Sequence, residues 1–323
     1  MKLVVGFLLY EESTLKYLEH FLPSLFAALG FLPAEEYRVL AFDNSAPEHN
    51  QNRLSVEYIN SQPGKAIEYI TDGENLGFAQ AYNRLIARAR ELGAEYFFMV
   101  NPDMLLDTDC LKHLVAKMDQ TPELASVVPK LLRWDFAGGQ KTGIIDSCGL
   151  GLKSGLRFFD LGQGEEDQGQ YDRADILGPS GAAALFRLSA LEHAKDKYGY
   201  LDERFFMYKE DCELAYRLHQ AGFRSALVPA ALAYHDRTAA ASGSGFLKNL
   251  SDRPGKSRQV KAWSHLNQHL IFVKHWKSQN LVNRLLIISR VLLILIFSLL
   301  LEQYCLRNYP QILCASFGLT NIK

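Results

Sequence analysis

The chain has 323 residues, 48% of them apolar, and a formal net charge of −1. That is enough to bury a full core in one large α/β domain with an appendage, or in two domains. The charge gives no global case for nucleic-acid binding. The five cysteines (Cys110, Cys148, Cys212, Cys305, Cys314) are odd in number, scattered, and lack a C-x-x-C pair. This spacing argues against a zinc site or a disulfide framework, and for a reducing compartment. The segment Met1 to Tyr10 is too short, and too soon followed by Glu11 and Glu12, for a signal peptide. It reads as a first strand, and the catalytic part is expected in the cytosol.

Alternation follows at once. A helical pattern from about Ser13 to Leu29 places Leu15, Leu18, Leu22, Phe26 and Leu29 at helical spacing. Tyr37 to Phe42 reads as a second strand ending in Asp43-Asn44-Ser45, and a polar segment follows. Ala66 to Ile70 reads as a third strand ending in Thr71-Asp72-Gly73, and Asn75-Leu76-Gly77 opens a second helix. Strand, helix and strand at this period predict right-handed crossovers and a parallel sheet covered on both faces.

Tyr96 to Val100 is the most informative stretch. Five aromatic and aliphatic residues predict a strand buried on both faces. Asn101-Pro102-Asp103 follows, and proline stops the ladder because it has no N–H to donate. A carboxylate is thereby presented past the C-terminal end of a central strand, where open α/β sheets bind ligands. It suits Mg²⁺ or Mn²⁺ carrying a phosphate; the alternative is an ordinary turn. Because parallel strands end along one edge, Asp43, Asp72 and Asp103 are candidates to line one crevice. The dinucleotide fingerprint G-x-G-x-x-G is absent after the first strand, as is the phosphate loop G-x-x-x-x-G-K-[ST].

The second half is less regular. Leu124 to Leu132 reads as a strand, residues Gly138 to Gly169 as a hairpin and loop, and Gly178 to Arg187 as a tight turn with a small-residue strand. Phe205, Phe206, Met207 and Tyr208 then form an apolar wall before Glu210-Asp211. A helix is expected to start there, since acids favour the positive end of the helix dipole. The pair is either a cap or a general base at the floor of a cleft. Glu213 and Arg217, at i and i+4, read most simply as a surface ion pair. Arg224 to Tyr234 reads as a strand ending in His235-Asp236, and His235 is a second metal-capable group.

Taken in order, Phe42 to Ser45, Glu74 to Asn83, Asn101 to Asp103, Gly199 to Asp211 and His235 resemble glycosyltransferase family 2, nearest its bacterial rhamnosyltransferase-like branch. The likeness runs from about Leu3 to His235. It implies a GT-A (Rossmann-like) fold with a mostly parallel central sheet and helices on both faces. It also implies transfer, with inversion, from a nucleotide sugar to a glycan or lipid-linked acceptor in surface-polysaccharide synthesis, with dTDP-rhamnose the first candidate and a UDP-linked donor the other. Asp43 matches the acid that contacts the donor base, and Asn75 and Gly77 match the segment near ribose and diphosphate. Asp103 matches the second acid of the family's D-x-D motif, while Asn101 occupies its first position. His235 matches a histidine that completes the metal site, and Asp211 matches the catalytic base with Glu210 beside it. The chain departs at the end of the first strand, where Phe7 to Tyr10 replaces a Thr-Tyr-Asn-like segment. Rival readings are a sugar nucleotidyltransferase, which lacks its Gly-rich basic loop here, and a nucleotide binder without catalysis.

Residues 236–262 read as a flexible basic loop (Lys248, Arg253, Lys256, Arg258, Lys261), either a lid over a diphosphate or a solvated linker. Residues 263–323 read as a C-terminal helical segment. Leu285 to Leu301 is nearly all apolar but would span only ~25 Å as a helix, against ~30 Å of hydrocarbon. Arg290 inside it disfavours a crossing. The expectation is a helix on the cytoplasmic membrane surface, with Trp263, Trp276, Lys274, Lys277 and Arg284 beside it, or one buried between copies of the chain.

Overall fold

The computed structural model describes residues 1–47, 51–237 and 257–317. The chain begins with β1 (Leu3–Leu9), α1 (Glu11–Leu29), β2 (Tyr37–Asp43), α2 (Gln51–Asn60), β3 (Ile67–Thr71), α3 (Gly77–Glu91) and β4 (Tyr96–Val100). β4 is buried at all five positions, as its composition demands. The polar segment after β2 contains α2, whose Leu54 and Tyr58 are exposed and whose apolar period is correspondingly weak.

Past Pro102 the chain resumes as β5 (Met104–Leu106), a short strand that does not continue the β4 ladder but pairs at the opposite margin of the sheet. Then come α4 (Cys110–Gln120), β6 (Leu124–Asp135), β7 (Gln140–Ser147), the hairpin of β8 (Leu150–Lys153) and β9 (Arg157–Asp160), β10 (Ala183–Arg187), α5 (Leu188–Ala194), α6 (Glu210–Gln220) and β11 (Arg224–His235). The tail forms α7 (Arg258–His275), α8 (Leu281–Leu300) and α9 (Tyr309–Ser316).

The main sheet runs β3-β2-β1-β4-β10-β6-β11-β5, with β7 added beside β6. Parallel ladders give β1, β2, β3 and β4 one direction. β10 runs against both β4 and β6, which returns β6 and its parallel neighbour β11 to that direction. β5 and β7 are antiparallel. The C-terminal ends of β1, β2, β3, β4 and β11 therefore share one edge with the entry to β10. Leu18, Phe21 and Leu25 of α1 and Leu111 and Leu114 of α4 fill one face. Ala79, Tyr82 and Leu85 of α3 and Leu214 and Leu218 of α6 fill the other.

The tail is not a separate appendage from residue 263 onward. Leu266, Leu270, Ile271 and Phe272 of α7 share a core with Phe205 and Tyr216. Glu213 is fully buried and does not form a surface pair. Its carboxylate takes Arg217 at 2.9 Å, Lys274 at 2.8 Å and His275 at 3.1 Å. Lys274 also bonds Asp202 at 2.9 Å. Burial alone would raise the pKa of Glu213, but His275, Arg217 and Lys274 outweigh it and hold the carboxyl far below the usual range.

A folded-state pKa below the unfolded value contributes stability above the unfolded pKa, lost as pH falls through the folded one. This contribution should be complete above about pH 5 and shrink on acidification, since free Glu titrates near ~4.3. Glu213→Gln strands buried cations and should cost roughly 3–5 kcal/mol. Denaturant unfolding at neutral and acid pH checks both: the variant should lose stability at neutral pH, and its gap from wild type should narrow in acid.

Candidate active site

At the shared edge, β2 ends in a carboxylate with no free oxygen. Asp43 is fully buried; its Oδ1 accepts the Ser45 amide at 2.8 Å and its Oδ2 the Tyr69 hydroxyl at 2.7 Å. Next to it, Asn44 reaches the start of α3: its Nδ2 donates to the Gly77 carbonyl at 3.1 Å and its Oδ1 accepts the Leu76 amide at 3.1 Å. Asn75 Oδ1 in turn accepts the Gly77 amide at 2.9 Å, closing a turn. Gly77 has φ +75°, and a Cβ there would sit 2.4 Å from the Phe206 carbonyl. Only glycine fits, because the backbones touch: the Phe78 amide donates to that carbonyl at 2.7 Å.

That contact joins the donor-side turn to the wall before α6. Tyr208 (φ +74°) and Lys209 (φ +70°) are consecutive left-handed residues that are not glycine. Asn267 of α7, 1% exposed, holds them by donating from Nδ2 to the Met207 carbonyl at 2.9 Å and the Tyr208 carbonyl at 2.6 Å. Trp263 stacks on Phe206 with ring centroids 4.8 Å apart. The strained turn delivers Glu210 and Asp211 to the sheet edge, where Asp211 Oδ2 accepts the Gly181 amide at 2.9 Å and Oδ1 the Cys212 amide at 2.7 Å. Burial raises the Asp211 pKa, and these amides pull back only part of the rise. Burial and the adjacent Asp211 push Glu210 well above the carboxylate range, and its Oε2 is buried without a partner.

Asp103 and His235 meet. His235 Nε2 lies 3.3 Å from Asp103 Oδ2, and its Nδ1 lies 2.8 Å from Asp146 Oδ2. Arg237 extends the row, at 3.3 Å from Asp146 and 2.9 Å from Asp160. Burial opposes the imidazolium, but Asp103 and Asp146 outweigh it and push His235 up to about 10. Burial would raise Asp146, yet His235 and Arg237 hold it low. The row reaches Asp211, since the Asp160 charge helps raise its pKa. Tyr82, between the two groups, feels both Asp103 and Glu210.

A divalent cation fits this corner in part. Asp103 Oδ1 is a buried acceptor without a partner, and His235 is oriented by Asp146 as a ligating imidazole is. Among the described residues no three His, Cys, Asp or Glu side chains close around one point. Two protein ligands completed by diphosphate oxygens and water match how Mg²⁺ and Mn²⁺ bind such substrates.

Asp72 follows the outermost strand, whose Thr71 lies in register with Asp43, and its carboxylate pairs with Arg84 at 3.3 Å. Asn101 enters through its backbone, whose amide bonds the Ala182 carbonyl at 2.9 Å. Asp146, Asp160, Arg237 and Asn267 were not among the sequence candidates, and Asn44 entered only as part of the Phe42–Ser45 motif. Of the basic loop, residues 238–256 lie outside the described residues.

A parallel-led sheet with a buried acid pair, an acid–imidazole pair and a glycine turn on one edge matches a GT-A fold. The chain belongs to glycosyl transferase family 2, whose family model matches residues 8–194. It is 26% identical over 248 residues to the N-acetylglucosaminyl-diphospho-decaprenol L-rhamnosyltransferase of Mycobacterium tuberculosis, covering 68% of this chain and 72% of that protein. The mannosyltransferase PcManGT from Pyrobaculum calidifontis, solved with GDP-Man and Mn²⁺, superposes with TM-score 0.55 at 15% identity, over 99% of this chain and 76% of that one. S. aureus TarS 1–349 in complex with UDP-GlcNAc gives TM-score 0.51 at 15% identity, over 98% and 82%. In a longer TarS structure, with TM-score 0.50 and 15% identity, the match covers 85% of this chain and 42% of that one.

Two outcomes follow from this geometry. A cation bound at His235 would have to displace its proton, so if one binds there apparent Mn²⁺ affinity should rise between pH 6 and 9, roughly tenfold per unit at most. His235→Gln should flatten that slope, as read by calorimetry in the presence of nucleoside diphosphate. Asn267→Ala leaves two buried carbonyls without a donor, a loss of about 1–3 kcal/mol. It should cut turnover by roughly tenfold or more, with a smaller effect on nucleotide affinity. Steady-state transfer rates beside nucleotide titrations separate the two.

Proposed function

We propose that this chain is a divalent-metal-dependent, inverting glycosyltransferase of cell-surface polysaccharide synthesis. Its donor is a nucleotide sugar, with dTDP-rhamnose as first assignment, and its acceptor is a lipid-linked glycan. The observation that carries the reading is the single edge that gathers Asp211, Glu210, Asp103 and His235. The name of the mycobacterial relative supports rhamnose and a diphospholipid acceptor. The Mn²⁺ and GDP-Man in the Pyrobaculum structure support a cation with a nucleotide sugar. A cytoplasmic site of action belongs to the same reading, supported by five cysteines that are all free.

Asp211 is suited to the base. Two backbone amides fix its carboxylate, and burial raises its proton affinity toward the working pH. It takes the proton of the acceptor hydroxyl as that oxygen attacks the anomeric carbon. A single displacement then inverts that carbon as the nucleoside diphosphate departs. Glu210 is buried beside Asp211, and burial together with the Asp211 charge raises its pKa, which disfavours a second negative charge beside the base. Asp103 and His235 would hold the cation, which when bound offsets the charge gathering on the departing diphosphate. The Asn75–Gly77 turn, pinned by Asn44, presents backbone close to the nucleotide, and Asp43, at the end of β2, lies where the donor's nucleobase would bind.

Asp211→Asn keeps the shape and removes the base. Transfer should fall by roughly 10²–10⁴-fold, while donor and metal binding, read by thermal shift with Mn²⁺, stay within a small factor of wild type. Undiminished transfer removes Asp211 from the mechanism. Failure of every nucleoside diphosphate sugar to stabilise the wild type removes the transferase reading.

A further inference from the structure

The outward half of α8 has no function in the site. Its inner half is anchored: Asn283 Oδ1 accepts the Gly155 amide at 3.1 Å, Arg290 donates to the Gly155 carbonyl at 2.5 Å, and Ile287 is buried. Leu281, Leu285, Ile288, Leu292, Ile296 and Leu299 lie on the other side, each between 46% and 71% exposed. Their spacing puts them on one face of a helix. Over 20 residues that face runs ~30 Å, continued at its far end by Leu300 and Leu301. Soluble monomers rarely leave a continuous apolar surface of this size uncovered.

Charge says what covers it. No Asp or Glu occurs from 281 to 301. The hairpin turn under α8 carries the exposed Lys153 and Arg157, and the segment leading into the helix carries the exposed Lys277. Arg284 is drawn to the same end by hydrogen bonds to the Trp276 and Lys277 carbonyls. A second copy of this chain would bring the same cations, and its nearest acid past the helix, Glu302, is buried against Lys261. Anionic lipid headgroups supply the missing charge, and acyl chains supply the apolar cover.

By length and composition alone α8 could cross a bilayer. Its anchors say otherwise. Gly155 holds its inner face, and beyond its far end Asn308 donates to the Ala262 carbonyl of α7 at 2.8 Å. Both ends of α8 are thus fastened to one body.

We propose that the outward face of α8 docks in the plane of an anionic lipid bilayer, with Lys153, Arg157, Lys277 and Arg284 at the headgroup phosphates. The same hairpin carries Asp160, which holds Arg237 and through it the His235 corner. Docking would therefore bring the metal-facing end of the site to the lipid surface, where a lipid diphosphate acceptor is presented. The docking claim does not depend on catalysis, so it is tested without donor.

The test is flotation of the full chain with phosphatidylcholine vesicles, with and without phosphatidylglycerol, beside light scattering without lipid. Wild type should float with the anionic vesicles and be released by salt. The triple variant L285Q/L292Q/I296Q should bind at least roughly tenfold more weakly, since apolar area is withdrawn from the bilayer. It should retain the wild-type unfolding midpoint. K153E/R157E should lose the preference for phosphatidylglycerol. Absence of wild-type flotation, or unchanged flotation of the triple variant, overturns the proposal. So does a lipid-free dimer that the triple variant dissociates, because it would assign the face to a second copy.

Discussion

Two hydrogen bonds from one amide, Asn267 Nδ2 to the carbonyls of Met207 and Tyr208, hold the turn on which the site depends. The turn is uphill. Two successive side-chain-bearing residues sit in the left-handed region, at a cost on the order of 1–3 kcal/mol each. In exchange the chain reverses sharply enough to place Glu210 and Asp211 at the sheet edge while Phe206 still receives the Phe78 amide. The start of α6 and the turn before α3 become one clamp. Neither half tolerates much movement, because at Gly77 the two backbones are already in contact. The amide itself is held in place by the ion cluster of Glu213, Lys274 and Asp202, which fastens α7 to α6.

Carboxylates in this half of the molecule meet opposite fates, and the difference lies in their partners. Glu213 and Asp146 are buried, but cations touch them and they stay ionised. Glu210 is buried and Asp211 half-buried, neither has a cation in hydrogen-bond contact, and desolvation raises both. Desolvation alone would raise every one of these acids; bonded counter-charge decides which remain ionised. The fold thus separates acids that brace it from acids kept ready to gain a proton. His235 stands at the border, its charge favoured by the two carboxylates that flank it.

Much of this was legible in the residues. Asp103 and His235 announce themselves as polar groups at the ends of apolar strands, and parallel strands leave such ends on one edge whatever the loops between them do. Asp211 and Gly77 were legible through motif order. Other features were not, for identifiable reasons. Spacing of i, i+4 is identical for an exposed ion pair and a buried one, so Glu213 and Arg217 did not reveal that Lys274 and His275 would close over them. Asp146 ends β7, a strand added to the sheet by an antiparallel ladder with register shifts, and no local pattern ties it to His235. Asn267 acts across 59 and 60 residues of sequence. Asp72 is a strand end like the others, but on the outermost strand, where Arg84 of α3 pairs with it.

Arg290 shows how tertiary contact reverses the meaning of a residue. In the sequence it interrupts an apolar run, and a lone guanidinium argues against that run crossing a bilayer. In the fold its guanidinium lies over the Phe272 ring and reaches the Gly155 carbonyl, so it belongs entirely to the protein side of α8. A helix that is apolar all round has no preferred side in isolation. Arg290 and Asn283, both satisfied by one hairpin residue, choose it. The polar residues that weaken the case for a crossing thereby set which apolar residues remain outward, and they fasten that surface to the hairpin bearing Asp160. The position of the apolar face relative to the chemistry is consequently fixed by hydrogen bonds and not by hydrophobicity.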